Sequence, residues 1–66
     1  MATFALALVQ ARREAGLTQQ QVADRAGMQR SAVARLEAGA REPGAETLRR
    51  LAMALMVEFA FNPLGA

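Results

Sequence analysis

The sequence predicts an all-α domain of four short helices that is followed by one C-terminal β-strand. Apolar residues recur at helical spacing through most of the chain. Glycines follow three of these apolar segments, at Gly16, Gly27 and Gly39, where helices commonly end. Only residues 57–62 alternate apolar and other residues at a period of two, which is typical of a strand.

Local signals define the first two predicted helices. Thr3 is a candidate N-cap for a first helix over about 3–15, and Gly16 follows its last apolar residue. Thr18 is followed three positions later by Gln21, which is the spacing of a capping box. Apolar residues on both sides of this cap can pack together as a hydrophobic staple. The second helix therefore has the best-defined start in the chain.

The third and fourth helices are predicted over about 29–38 and about 45–55. The third has only about two and a half turns, so it must dock on its neighbours to persist. Pro43 and Gly44 break the chain just before the fourth helix. The predicted apolar stripe of the fourth helix consists of Leu48, Leu51, Ala52 and Leu55.

Composition excludes several classes of function. The 66 residues suffice for one domain, in the size range where a second copy often supplies missing burial. The chain has no cysteine and no histidine, so disulfides, thiolate metal sites and imidazole bases are excluded. No signal peptide is recognisable, and no apolar run approaches the roughly 20 residues of a membrane span. We expect a cytoplasmic protein that is not an enzyme, binds no cofactor or metal, and contacts no membrane.

The charged residues are unusual in kind rather than in number. The net charge is +2, and every one of the eight basic residues is arginine. A coding bias towards arginine and alanine explains this as well as a function does. Guanidinium groups also suit phosphates and guanine edges, because they present planar pairs of donors. The positions of the arginines decide between the two explanations.

The third helix has two different faces. At about 100° per residue, Ala32, Val33 and Leu36 fall on one side. The opposite arc carries Arg30, Ser31, Ala34 and Arg35. Arginine can bond bidentately to guanine, and small residues let a helix backbone approach the major groove. The face is therefore suited to DNA, although a merely solvated surface is an equally simple reading of the face alone.

The stretch LTQQQVADRAGMQRSAVARLEAGAREP, residues 17–43, resembles the helix-turn-helix of the Cro/C1-type (Xre) repressors. The matching positions are Arg12, Leu17, Thr18, Gln19, Val22, Ala23, Gly27, Val33, Leu36, Glu37, Gly39, Arg41, Glu42 and Pro43. This resemblance implies a four-helix, lambda-repressor-like DNA-binding domain over residues 1–56. A dimerisation strand over 57–62 and a tail over 63–66 would follow it.

The resemblance also implies roles for individual residues. Thr18 and Gln19 would hold a phosphate at the start of the second helix, and Arg41 would hold another. The residues implied to meet the DNA groove are Gln29, Arg30, Ser31, Ala34 and Arg35. Arg12 and Glu37 would form a structural ion pair between the first helix and the end of the third.

The sequence departs from the family pattern in two places. Met28 and Gln29 stand where the recognition helix usually begins with a serine or threonine, and they offer a weaker cap. The fifth helix that often follows the fourth is replaced by VEFAFNP, residues 57–63. A lone strand leaves its backbone groups unpaired, so we expect this one to pair across a two-fold axis. The predicted dimerisation residues are Val57, Phe59 and Phe61.

The ending ALMVEFAFNP is similar to the tails of HipB-type antitoxins. This similarity implies a homodimeric repressor of its own toxin-antitoxin operon, with a pseudo-palindromic double-stranded DNA operator and a HipA-type kinase toxin as partners. Other readings stay open. The phenylalanines can pack on their own monomer, and the protein can instead be a prophage regulator or a restriction-modification controller. It can also be chiefly a protein-interaction module that neutralises a toxin.

Overall fold

The computed structural model describes residues 3–61, with side chains described as far as residue 56. It contains four α-helices in this range. They are α1 (Phe4–Glu14), α2 (Gln19–Ala26), α3 (Arg30–Glu37) and α4 (Ala45–Phe61). No helix within residues 3–61 is long and apolar enough to cross a bilayer.

The helix starts follow the local capping signals. The Thr3 hydroxyl accepts a hydrogen bond from the backbone N–H of Leu6 at the start of α1. At α2 the capping box is complete, because Thr18 Oγ1 accepts from the Gln21 backbone N–H at 3.0 Å and Gln21 Oε1 accepts from the Thr18 N–H at 2.9 Å. Gln29 makes no side-chain cap bond at α3. The start of the third helix thus lacks the side-chain cap that α1 and α2 have, as the weak cap in the sequence predicts.

The turn between α2 and α3 depends on one glycine. Gly27 has φ of 68°, in the left-handed region that other residues adopt at a steric cost. The next backbone N–H, that of Met28, donates to the Ala23 carbonyl at 2.8 Å and closes the end of α2. The tight closure brings α3 into contact with α2 after a very short connection.

The core is centred on α2, with buried residues from all four helices. Val22, Val33 and Leu51, one from each of α2, α3 and α4, are fully buried. The remaining buried apolar residues are Leu8, Leu17, Ala23, Ala26, Leu36 and Ala54. α2 packs against both α3 and α4, and α1 packs mainly against α3. Both α1 and α2 pack on the inner side of α3. This packing holds the outer side of α3 in a fixed orientation.

Helix α4 differs from the prediction in its buried face. Leu51 and Ala54 enter the core, whereas Leu48 and Ala52 of the predicted stripe are exposed and Leu55 is half-buried. Helical spacing identified the helix correctly. The spacing could not show which residues of the apolar face would be covered by α1 and α2.

The predicted C-terminal strand is not confirmed. Residues 57–61 continue α4 as helix, and no strand occurs within residues 3–61. A helix satisfies backbone N–H groups within its own segment, whereas a single strand needs a partner to do so. The segment also contains Glu58 and Ala60, two residue types that favour helix. The side chains of Val57, Phe59 and Phe61 lie outside the described part of the chain, as does residue 62.

Candidate nucleic-acid interface

The outer face of α3 is exposed and carries two guanidinium groups. Arg30, Ser31 and Arg35 are exposed, and Ala34 is half-buried. On the inner side Val33 and Leu36 are buried in the core. The sequence-predicted groove-facing residues therefore share one surface, and the core fixes which way that surface points.

Three arginines on α3 and in the loop after it have no acidic partner among the side chains described. No ion pair among residues 3–56 involves Arg30, Arg35 or Arg41. Arg41 is exposed in the loop after α3, and Gln29 is exposed just before α3. An arginine without a carboxylate partner keeps its donors available for an anion or for a base edge.

The start of α2 offers unused hydrogen-bond donors. The backbone N–H groups of Gln19 and Gln20 donate to no other described group. The first N–H groups of α2 with acceptors are those of Gln21, which donates to the Thr18 hydroxyl, and Val22, which donates to the Thr18 carbonyl. The Thr18 hydroxyl accepts from Gln21, and its own hydrogen is still available to donate. Together with the positive end of the helix dipole, these donors form a surface suited to phosphate.

A bidentate ion pair joins α1 to the end of α3. Arg12 Nε lies 2.6 Å from Glu37 Oε2, and Arg12 Nη2 donates to Glu37 Oε1 at 3.2 Å. Arg12 Nη1 also donates to the Leu17 carbonyl at 2.9 Å, just before α2. The pair is largely buried, since the side chains of Arg12 and Glu37 are only 15% and 6% exposed. It thus connects α1, the residue before α2, and the end of α3.

The charge state of Glu37 follows from these contacts. Burial by itself raises the pKa of the Glu37 carboxyl. The hydrogen bonds donated by Arg12 and Gln19, with the positive charges of Arg12 and Arg13, outweigh burial and lower the pKa below its ordinary value. Glu37 is therefore an ionised, buried acceptor at neutral pH.

The side chain of Gln19 lies in a place that the sequence did not indicate. Its Nε2 donates to Glu37 Oε1 at 2.9 Å, and its Oε1 accepts a long hydrogen bond of 3.5 Å from Arg30 Nη1. The resemblance implied a phosphate contact for Gln19. No local spacing could have shown these bonds, because Gln19 and Glu37 are far apart in the chain and meet only when α2 and α3 pack.

A second cluster of charges lies on α4. Glu46 accepts hydrogen bonds from Arg49 and Arg50, at distances down to 2.6 Å, and all three side chains are about half exposed or more. The hydrogen bonds from Arg49 and then Arg50 lower the pKa of Glu46 to about 2. The spacings of three and four residues could have predicted this cluster from the sequence. Its arginines are occupied by a carboxylate, unlike those on α3.

A comparison with protein families agrees with this geometry. A family model described as helix-turn-helix, of the Cro/C1 type, matches residues 8–62. The chain belongs to this helix-turn-helix family. Members are DNA-binding regulators, and the match covers all of α2 and α3. No curated protein and no solved structure gives a significant match to the chain.

Proposed function

We propose that this family member is a transcriptional repressor that places α3 in the major groove of double-stranded DNA. The observation that carries the proposal is the outer face of α3, where Arg30 and Arg35 are exposed and unpaired by any described acid. Small residues between them let the helix backbone approach the base edges. A buried inner side keeps the helix in place while it binds.

The proposed roles separate base reading from phosphate binding. Arg30 and Arg35, with Ser31, Ala34 and Gln29 beside them, read base edges. Arg41 and the start of α2 hold phosphates on either side and set the register. Phosphate contacts give affinity that falls steeply with salt, whereas base contacts give sequence preference.

The test begins with selection of a binding duplex from a random DNA library by the wild-type protein. Arg30→Ala or Arg35→Ala should relax base preference at one position per half-site, at a cost of about 1–3 kcal/mol. Arg41→Ala should weaken all sequences alike and reduce the slope of log Kd against log salt by about one. Arg49→Ala is the matched control, because Arg49 is already occupied by Glu46. Enrichment of no sequence would overturn the proposal.

We also propose that the regulator acts as a homodimer on a pseudo-palindromic operator. An apolar groove of about 210 Å³ between α1 and α4 supports this, since apolar surface of this kind often marks an interface. Leu48, on the wall of the groove, is 47% exposed. Two copies would present two α3 helices to half-sites about 34–36 Å apart.

Sedimentation at micromolar concentration tests the dimer. Leu48→Asp should give monomers and bind the selected duplex more weakly, because a carboxylate cannot be buried in an apolar interface without cost. Met53→Asp serves as control, because Met53 is 56% exposed on α4 but does not line the groove. Dimers that persist in Leu48→Asp would place the interface elsewhere.

An antitoxin role is the second candidate. It is supported by the similarity of the sequence ALMVEFAFNP to HipB-type tails. The similarity is in sequence and not in secondary structure, because residues 57–61 are helical here rather than a strand. The exposed apolar groove also suits a protein partner. Copurification with the product of an adjacent kinase-like gene would support the antitoxin role. A neighbouring restriction-modification or prophage gene would favour a controller or phage regulator instead.

A further inference from the structure

A small cavity lies between α3, the loop after it and the start of α4. Its volume is about 220 Å³, and its lining runs from Met28, just before α3, to Thr47 in the first turn of α4. Pockets for drug-sized ligands usually measure about 300–1,000 Å³, so this one suits a molecule of only a few carbon atoms. The cavity shares Arg41 with the proposed phosphate-binding surface, but it includes no residue proposed to read bases.

The lining of this cavity combines apolar surface with one charge of each sign. Leu36 is buried, and Met28 and Ala32 are half-buried, so an aliphatic group can pack against them. Arg41 and Glu42 also line the cavity, and both are exposed. Neither forms an ion pair with the other or with any side chain described between residues 3 and 56. One small cavity thus offers a cation, an anion and an apolar surface to the same ligand.

We propose that this cavity binds a small aliphatic α-amino acid, and that the bound amino acid releases the repressor from DNA. At neutral pH an α-amino acid carries a carboxylate and an ammonium group on one carbon atom. The carboxylate would accept hydrogen bonds from Arg41, and the ammonium group would donate to Glu42. The aliphatic side chain would pack against Ala32 and Leu36. All three features of the lining are then used by one molecule.

Release follows from competition for Arg41. This step rests on the function proposed above, in which Arg41 holds a DNA phosphate. A guanidinium that is bound to a carboxylate has fewer donors left for a phosphate. Because a phosphate contact carries no sequence information, the amino acid should weaken binding to all duplexes alike and leave base preference unchanged.

Titration of the free protein with valine, followed by NMR of the backbone amides, tests the site without DNA. Valine should give saturable shifts at the residues that line the cavity. Valinamide lacks the carboxylate and 3-methylbutanoate lacks the ammonium group, so each should bind at least about tenfold more weakly. Tryptophan should not saturate the site, because its side chain is too large for this volume. Equal binding of valine and both analogues, or no saturable shift, would overturn the proposal.

Two variants alter the cavity and keep the proposed DNA contacts. Ala32→Leu fills the cavity from α3, so valine should no longer bind, and urea unfolding shows whether this variant is folded. Glu42→Gln changes only an exposed loop position and removes the anion, so valine should bind no better than 3-methylbutanoate. Glu14→Gln is the matched control, because Glu14 is an exposed acid on α1 that does not line the cavity. A loss of valine binding in Glu14→Gln equal to that in Glu42→Gln would place the site elsewhere.

The DNA duplex selected by the wild type tests release. Valine should weaken binding of the wild type by about as much as Arg41→Ala does, and it should have no further effect on Arg41→Ala. If valine binds the free protein but leaves its affinity for DNA unchanged, the proposed release is wrong. A wild type that selects no duplex would refute the proposed function, whereas the titration of the free protein would still decide whether the cavity binds an amino acid.

Discussion

Two ion-pair clusters in this protein have the same shortest distance and very different surroundings. Arg12 and Glu37 approach to 2.6 Å, as do Arg49 and Glu46. Glu37 is 6% exposed and Glu46 is 59% exposed. A distance alone therefore does not rank these contacts. Water solvates and screens the pair on α4, whereas removal of one partner of the Arg12–Glu37 pair leaves the other charge largely shielded from water.

The largest effect should come from truncation of one buried partner. Glu37→Ala leaves Arg12 buried without its carboxylate and Gln19 without its acceptor, so we expect about 3–5 kcal/mol of lost stability. Urea unfolding followed by circular dichroism measures this loss. Glu42→Ala, at an exposed acid in the loop after α3, is the control and should have little effect. If Glu37→Ala lost no more stability than Glu42→Ala, burial of the Arg12–Glu37 pair would not determine its contribution to folding.

An apolar replacement of both buried partners should cost much less. In Arg12→Met with Glu37→Leu no unpaired charge is left, and the new side chains can pack. The Leu17 carbonyl and the Gln19 amide still lose a partner, so about 1–2 kcal/mol should be lost in the same unfolding experiment. A double variant less stable than Glu37→Ala would show that the charges themselves stabilise the fold.

Acid should weaken the buried cluster in a defined direction. The pKa of Glu37 is lowered by folding from an ordinary value of 4.5. Its stabilising contribution is thus fully present above pH 4.5 and is lost as pH falls through the folded value. The free energy of unfolding of Glu37→Gln should change less between pH 5 and pH 2 than that of the wild type. If the free energy of unfolding changed equally with pH in the two proteins, the Glu37 carboxylate would make no such contribution to stability.

The smallest effect belongs to the exposed cluster on α4. Glu46→Ala should leave the unfolding transition within error of the wild type, because all three side chains are solvated. The pKa of Glu46, about 2, should still rise in Arg49→Ala and rise less in Arg50→Ala, since Arg49 is the larger cause. Titration of the Glu46 side-chain carbon by NMR measures this. High salt should also raise the pKa of Glu46, and a salt-insensitive value would indicate a less solvated pair.

The parts of the fold that depend on neighbours in sequence could be predicted. Thr18 and Gln21 lie three positions apart, and their capping box forms as expected. Gly27 ends α2 in the left-handed conformation, and Gln29 makes no side-chain cap hydrogen bond at α3, in line with the weak cap predicted. Each of these features is made within one turn of helix, so the residue types and their spacing suffice.

The course of the chain beyond residue 56 could not be predicted in the same way. Val57, Phe59 and Phe61 alternate in sequence, but the backbone of residues 57–61 is helical. A short alternating segment becomes a strand only where a partner strand supplies hydrogen bonds. The pattern of side chains carried no information about whether such a partner exists.

The sequence by itself determined the four helices, the turn at Gly27 and the arginine face of α3, because periodicity and capping are local properties. Tertiary structure alone decided what the polar side chains around that face do. Gln19 and Glu37 meet only when α2 packs on α3, and Leu48 is exposed only because α1 and α4 leave a groove between them. Such contacts arise from packing between distant segments, and no spacing in the sequence records them.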